Sequence, residues 1–109
     1  MIGNFKSLED FNLKNKKIFI SQPMKGKSET TIRKEREFVI SEITRLGGTV
    51  IDSVIQGYEK YTAAQCIGKS IVMMAEADLV LFFPGYEEAR GCKVEMSVCK
   101  EYDIDYIVL

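Results

Sequence analysis

The sequence contains no histidine, and this absence narrows the chemistry open to the protein. Histidine is the commonest general base near neutral pH, the usual activator of a cysteine nucleophile and the commonest zinc ligand. Any catalysis must therefore use carboxylates, lysine, tyrosine, serine or cysteine. We expect neither a metal site nor a cofactor.

Disulfides, nucleic-acid binding and membrane insertion are also disfavoured. Cys66, Cys92 and Cys99 are odd in number and lack CxxC spacing, so we expect reduced, partly buried thiols. The 15 Lys and Arg against 16 Asp and Glu leave no basic excess for a nucleic-acid backbone. The apolar runs are far shorter than the ~20 residues of a membrane span, and no signal-peptide pattern opens the chain. These features predict a cytoplasmic protein that binds neither nucleic acid nor membrane.

What the chain does contain is enough apolar sequence for one domain. Of its 109 residues 46% are hydrophobic and 28% are charged, a composition typical of a globular protein with one core. Residues 1–15 have no clear period and are predicted to form an N-terminal extension, with a short helix near 7–13. Residues 16–109 are predicted to form the domain.

Strands and helices are predicted to alternate along this domain. Apolar segments typical of strands occupy 16–21, 49–55, 77–83 and 104–109. Amphipathic segments typical of helices occupy 28–46, 62–76 and 91–102. The alternation predicts βαβ units with right-handed crossovers. The expected fold is therefore a flavodoxin-like or Rossmann-like α/β three-layer sandwich with a four- to five-stranded parallel sheet, whose core has the strand order 2-1-3-4.

Each predicted helix has an apolar stripe and a start signal or a stop signal. Ser28 can cap the first helix, Gly47-Gly48 can end it, and Thr62 with Gln65 is a capping-box signature for the second. The stripes expected to face the core are Ile32, Val39, Ile43 and Leu46 in the first helix, Ala64, Ile67, Ile71 and Met74 in the second, and Val94, Val98 and Tyr102 in the third.

Strand order also predicts where a ligand binds. In open parallel sheets, ligands bind beyond the carboxyl ends of the strands, where the winding direction reverses. With the order 2-1-3-4 the reversal falls between the first and third strands. The loops that leave these strands are "SQPMKGKS" (21–28) and "PGYEEARG" (84–91), so we expect the two loops to lie side by side.

The first loop is one residue away from the phosphate loop GxxxxGK[ST], with Ser21 in place of the first glycine. Pro23 removes a backbone N–H from a loop that must present such groups, which argues against a true phosphate loop. Lys25, Gly26 and Lys27 still precede a helix N-terminus, which favours an anion. An anion site and an ordinary solvated turn both remain open.

The second loop leads to Glu95. Gly91 permits close approach at the start of the third helix. Glu95 lies beside the Val94–Val98 stripe, and a half-buried carboxylate there could act as nucleophile or general base. Arg90 could keep it ionised or bind a substrate anion. Spacing alone leaves an ordinary surface glutamate as the alternative.

Aromatic and hydroxyl side chains form a third group, which could line a crevice or simply pack. Phe19 is expected in the core. The others are Ser70 and three loop tyrosines, Tyr58, Tyr61 and Tyr86.

The order of the segments "KIFISQPMKGK", "AEADLVLFF" and "ARGCKVEM" resembles the nucleoside 2-deoxyribosyltransferase superfamily, and especially its small bacterial and phage members. The resemblance covers residues 16–109. It implies that the first-strand motif lines a nucleoside pocket, here Phe19 with Ser21, Gln22, Pro23, Met24, Lys25, Gly26 and Lys27. Gly26 and Lys27 are similar to a Gly-Arg pair that holds a 5′-phosphate.

The superfamily's GxxxE motif corresponds to Gly91 and Glu95, which implies that Glu95 is the nucleophile that attacks the anomeric carbon. Two positions depart from the pattern: Ser70 stands where an aspartate is usual, and Ala89-Arg90 replaces a base-recognising aspartate. Asp78 is no substitute, because it is expected at the opposite end of the sheet.

These observations predict an enzyme that cleaves or transfers the N-glycosidic bond of a deoxynucleoside or nucleotide. Glu95 would be the nucleophile, Ser70 would contact the sugar, and Tyr86 and Arg90 would bind the ligand. The alternatives are a catalytically weak protein that sequesters a nucleotide or NAD-derived ligand, and a structural domain whose own tyrosines fill the crevice. The resemblance also implies a homodimer or higher homo-oligomer.

Overall fold

The computed structural model of the protein describes Leu8, residues 11–51 and residues 58–109. Strands and helices alternate within these residues, as predicted. The elements are β1 (Lys17–Ser21), α1 (Glu29–Arg45), β2 (Thr49–Val50), α2 (Ala63–Met74), β3 (Leu79–Phe82), α3 (Arg90–Glu101) and β4 (Tyr106–Val108). Short 3-10 helices at Tyr58–Lys60 and Tyr86–Glu88 precede α2 and α3.

The described strands form one parallel sheet in the order β2-β1-β3-β4, which confirms the predicted order and the flavodoxin-like or Rossmann-like fold class. Ser21 at the end of β1 pairs with Phe82 at the end of β3. The Phe83 N–H donates to the Ser21 carbonyl oxygen at 3.0 Å, so the pairing continues past both strands. The loops that follow β1 and β3 therefore leave the same edge of the sheet side by side.

Helices cover both faces of the sheet, because successive strand residues point to opposite sides. Ile18 and Ile20 join a core with Val39 and Ile43 of α1. On the other face, Phe19 joins a second core whose helical members are Met74 of α2, Met96 and Cys99 of α3. All four residues of β3 are buried, as expected for a central strand between two helical layers.

The residues ahead of β1 contribute to the core on the α1 face. Leu13 is 1% exposed and Leu8 is 8% exposed, and both pack in that cluster. Part of the short helix predicted near 7–13 lies outside the described residues, and residues 11–13, which are described, are not helical. The predicted extension is therefore attached to the domain by buried leucines.

The ends of α1 follow the predicted signals. The Ser28 hydroxyl accepts a hydrogen bond from the Thr31 N–H at 3.1 Å and caps the helix. After the helix, Gly47 has a φ of +88°, a conformation that favours glycine. Of the predicted stripe, Val39 and Ile43 are buried, whereas Ile32 and Leu46 are half-buried.

The second strand and second helix are confirmed in part. β2 is two residues long, and the predicted continuation over 52–55 lies outside the described residues. The capping box is present, since the Thr62 hydroxyl accepts from the Gln65 N–H and the Gln65 side chain accepts from the Thr62 N–H. Met74 is buried, but Ala64 is exposed, so the stripe does not face the core along its whole length.

The stripe predicted for the third helix is wrong at two of its three positions, since only Val98 packs against the core. Val94 is 39% exposed and Tyr102, which follows α3, is 75% exposed. The residues that α3 buries are Cys92, Glu95, Met96 and Cys99. This set has the i, i+3, i+4, i+7 spacing of one helix face, and cysteine and methionine serve in it as core residues. The error arose because the branched and aromatic side chains were taken as the buried ones.

Within the described part of the chain, no helix is both long enough and apolar enough to cross a membrane.

Candidate active site

Glu95 is a buried carboxylate that two serine hydroxyls hold in place. Its side chain is 6% exposed. The Ser21 hydroxyl donates to Glu95 Oε1 at 2.7 Å, and the Ser70 hydroxyl donates to Glu95 Oε2 at 2.5 Å. The sequence predicted a half-buried flank position. The structure places Glu95 within the core-facing side of α3.

Three elements supply this cluster. Ser21 is the last residue of β1, Ser70 lies in the second half of α2, and Glu95 lies in the second turn of α3. Ser21 points towards the α2–α3 layer because it is two residues after Phe19, which packs in the core on that side. The cluster therefore lies near the carboxyl edge of the sheet, beside the loops that follow β1 and β3.

Burial and hydrogen bonding act in opposite directions on Glu95. Burial raises the pKa of the Glu95 carboxyl above its ordinary value of 4.5, whereas the hydrogen bonds from Ser70 and Ser21 lower it. The net shift is upward. Glu95 is thus a desolvated carboxylate whose charged form is partly compensated by two hydroxyl donors, an arrangement suited to a nucleophile or a general base.

Gly91 and Cys92 lie in the first turn of α3, and the expected close approach at Gly91 does not occur, since a side chain there would fit. A Cβ on Gly91 would lie 3.6 Å from Ile67 Cδ1 of α2, an ordinary van der Waals distance. Cys92 is buried one helical turn before Glu95. Burial raises the pKa of the Cys92 thiol, and the charge of Glu95 acts in the same direction. Cys92 is therefore a protonated packing neighbour of the carboxylate.

The residues of the loop after β1 differ in exposure. Gln22 and Pro23 are buried, whereas Met24, Lys25 and Gly26 are exposed. Gly26 has a φ of +80°, which explains why glycine is favoured at the turn. A Cβ on Gly85, in the loop after β3, would lie 3.9 Å from Pro23 Cγ. The two loops are thus adjacent, as the predicted topology required.

Lys27 is paired within the protein. Its Nζ lies 3.0 Å from Glu35 Oε1 and 3.2 Å from Glu35 Oε2. Gln22 Nε2 approaches the same Glu35 Oε1 at 3.4 Å, and Arg36 Nη1 approaches Gln22 Oε1 at 3.4 Å. Glu35 and Arg36 were missed by the sequence-based reasoning, because no helical or strand spacing relates them to the loop.

The remaining predicted residues differ in their burial. Phe19 is in the core, and Arg90 is exposed at the first position of α3. Tyr86 is half-buried, with its ring centroid 5.4 Å from that of Phe82. Tyr61 is 37% exposed and has Lys69 Nζ 4.5 Å from its ring centroid.

Two further predictions concern Asp78 and Tyr58. Asp78 Oδ2 accepts from the Lys17 N–H at 2.8 Å, at the start of β1 and hence at the opposite edge from Glu95. The side chain of Tyr58 lies outside the described part.

No group of three or more His, Cys, Asp or Glu side chains suited to a metal ion occurs among the described residues. Cys92 and Cys99 are buried thiols, and Cys66 is partly buried.

The protein is therefore a parallel α/β protein. At the carboxyl edge of its sheet lies a buried glutamate that accepts hydrogen bonds from two serines. The chain belongs to the family DUF4406, described as a domain of unknown function, whose model matches residues 16–108. No curated protein matches the chain.

Proposed function

We propose that the protein is an enzyme of N-glycosidic bond chemistry that acts on a deoxynucleoside or nucleotide, with Glu95 as the nucleophile. The observation that carries this proposal is the carboxylate of Glu95, buried at the carboxyl edge of the sheet and held by Ser21 and Ser70. The resemblance of Gly91 and Glu95 to the GxxxE motif of nucleoside 2-deoxyribosyltransferases supports the same role.

The proposed reaction has two steps. One Glu95 oxygen attacks the anomeric carbon while the carbon–nitrogen bond breaks, and the nucleobase leaves with the bonding electrons and takes up a proton. Water, or a second nucleobase, then attacks the same carbon and releases the carboxylate. Hydrolysis yields the free sugar, and transfer yields a new nucleoside. The two displacements at the same carbon correspond to the mechanism of a retaining glycosidase.

The serine contacts are compatible with attack by Glu95. A carboxylate oxygen has two lone-pair directions, and each Glu95 oxygen uses one of them to accept from a serine. Each oxygen therefore keeps one direction for a substrate carbon. The two serines also fix the orientation of the carboxylate, which reduces the entropy cost of reaching an attack geometry. In this proposal Ser21 and Ser70 are positioning residues.

The loop from Ser21 to Lys27 and the residues Tyr86 and Arg90 are proposed to contact the ligand. Exposed Lys25 and Gly26, with Lys27, border the start of α1, where an anionic group can be received. A cytoplasmic location and a homodimer or higher homo-oligomer, both expected from the sequence, remain parts of the proposal. Light scattering of the purified protein measures the oligomeric state.

Base release by a Glu95→Gln variant tests the proposal. The wild type is incubated with the common deoxynucleosides and their 5′-monophosphates, and free base is quantified by chromatography. We expect release by the wild type and a loss of about 10³-fold or more in Glu95→Gln, because glutamine cannot form the glycosyl ester. Glu101→Gln, at an exposed position of the same helix, should keep wild-type activity.

The outcomes separate the alternatives. Absence of free base with every compound rejects the enzyme. Nucleotide binding by calorimetry would then support the sequestering protein, and no binding would leave a structural domain in which Glu95 only ties α3 to β1 and α2.

A further inference from the structure

The loop after β1 contacts two layers of the protein through adjacent side chains. Ser21 and Gln22 point to opposite faces of the sheet. Ser21 contacts Glu95 on the α3 side. Gln22 is 7% exposed, and its Nε2 donates to the Ile32 carbonyl oxygen of α1 at 2.9 Å. This buried contact fixes α1, and with it Glu35, next to the loop that borders the candidate active site.

Glu35 forms an ion pair with Lys27, the lysine at the end of this loop. Lys27 Nζ is within 3.2 Å of both Glu35 oxygens, and the two side chains are 29% and 38% exposed. The pair is open enough for a ligand to reach it. Such a pair contributes little to stability, since partly exposed ion pairs are screened by solvent. Its main effect is on the local charge that an incoming anion meets.

The start of α1 is also occupied by the protein's own groups. The Ser28 hydroxyl accepts from the Thr31 N–H, one of the N–H groups that a helix start can offer to an anion. Glu29 lies in the first turn and places a negative charge at the positive end of the helix. Both features reduce the attraction of this helix start for a phosphate.

We propose that Glu35 is a specificity-determining residue that suppresses recognition of a ligand phosphate by Lys27. This inference rests on the proposed function and deepens it. With the pair intact, Lys27 offers a phosphate little net positive charge, so Lys27 adds little to the use of a 5′-monophosphate relative to its 2′-deoxynucleoside. Removal of the Glu35 charge releases Lys27 to bind the phosphate.

A comparison of kcat/KM for base release from each 2′-deoxynucleoside and its 5′-monophosphate tests this inference. The wild type gives the reference ratio of the two values, and Lys27→Ala alone should leave this ratio unchanged. In Glu35→Gln the ratio should rise about tenfold in favour of the monophosphate, because one negative charge next to the phosphate is removed. Adding Lys27→Ala to Glu35→Gln should cancel the gain.

Glu37→Gln is the matched control, because it makes the same charge change at an exposed position of α1. Its ratio should equal that of the wild type. An unchanged ratio in Glu35→Gln, a gain that persists without Lys27, or an equal gain in Glu37→Gln would overturn the role of Glu35.

Failure of this inference is distinguishable from failure of the proposed function. If no compound releases base, the affinity of each variant for the same monophosphates is measured by calorimetry. A Lys27-dependent, about tenfold tighter binding in Glu35→Gln supports the role of Glu35 even then. Equal affinities in the wild type and Glu35→Gln, or no binding by either, overturn it.

Discussion

Ser70 and Glu95 are 25 residues apart in the chain, yet the Ser70 hydroxyl donates to Glu95 Oε2 at 2.5 Å. This contact joins α2 to α3 at the edge of the sheet. Ser70 was expected to contact a sugar, at a position where the nucleoside 2-deoxyribosyltransferase superfamily that the sequence resembles usually has an aspartate. In the structure the Ser70 hydrogen bond orients the Glu95 carboxyl and lowers its pKa.

Substitution of Ser70 should change the pH dependence of base release. The Ser70 hydrogen bond lowers the pKa of Glu95, so Ser70→Ala should raise that pKa. Because attack needs the ionised carboxylate, the acidic limb of the kcat/KM profile should move to higher pH. Ser21→Ala should produce a smaller shift, as Ser21 lowers the pKa of Glu95 less.

Ser97→Ala is the control for this experiment, since the Ser97 hydroxyl donates to the Lys93 carbonyl oxygen on the exposed side of α3. Its profile should superimpose on that of the wild type. An unchanged limb in Ser70→Ala would mean that the hydrogen bond does not govern the ionisation of Glu95.

Glu95→Gln should be more stable than the wild type at neutral pH. The pKa of Glu95 is raised in the folded state, so between 4.5 and the raised value the folded protein binds more protons than the unfolded chain. The contribution of Glu95 to the free energy of unfolding therefore falls as pH rises through this window, and the loss persists above it. Glutamine carries no such penalty.

Urea unfolding of both proteins from pH 4 to pH 8 measures the difference. The two curves should converge at the acidic end and separate as pH rises. A constant difference over the whole range would indicate that Glu95 has the same pKa in the folded and unfolded states.

The three cysteines should differ in their rate of reaction with a thiol reagent, because they differ in burial. Burial, with the charge of Glu95, raises the pKa of Cys99 to about 12, and the pKa of buried Cys92 is also raised. Cys66 is only partly buried. A thiol reagent should therefore modify Cys66 first in the native protein, and all three cysteines after denaturation. Mass spectrometry after peptide digestion identifies the sites, and early modification of Cys99 would contradict its burial.

The α1 face of the core should be sensitive to truncation. Ile43 is completely buried, so Ile43→Ala should lower the free energy of unfolding by about 2–5 kcal/mol through lost burial and a residual cavity. Phe38 lies on the same helix but is 70% exposed, and Phe38→Ala should change stability by about 0.5 kcal/mol or less. Urea unfolding of both variants measures the contrast.

The fold was predictable because its determinants are local. The capping signatures at Ser28 and Thr62, the glycines after α1 and the uniformly apolar β3 each lie within a few residues of the element that they define. The alternation of these elements restricts the topology, since crossovers between parallel strands are right-handed. The same topology predicted that the loops after β1 and β3 would be neighbours.

The environment of Glu95 was only partly predictable. Spacing suggested Val94 and Val98 as the buried face, whereas the docking of α3 on the sheet buries Cys92, Glu95 and Met96. A helix with apolar residues on several sides has more than one possible buried face. The choice depends on how the helix packs against β3 and α2, which periodicity does not contain.

The sequence by itself determined the chemistry available to this protein and the order of its elements: no histidine, a Gly91–Glu95 pair at the start of a helix, and alternating strands and helices. Only the tertiary structure decided the partners of the charged groups. Glu95 meets Ser21 and Ser70, and Lys27 meets Glu35, through contacts between separate elements. The physical reason is that hydrogen bonds and ion pairs depend on distances of a few ångströms, which are established only when the helices pack on the sheet.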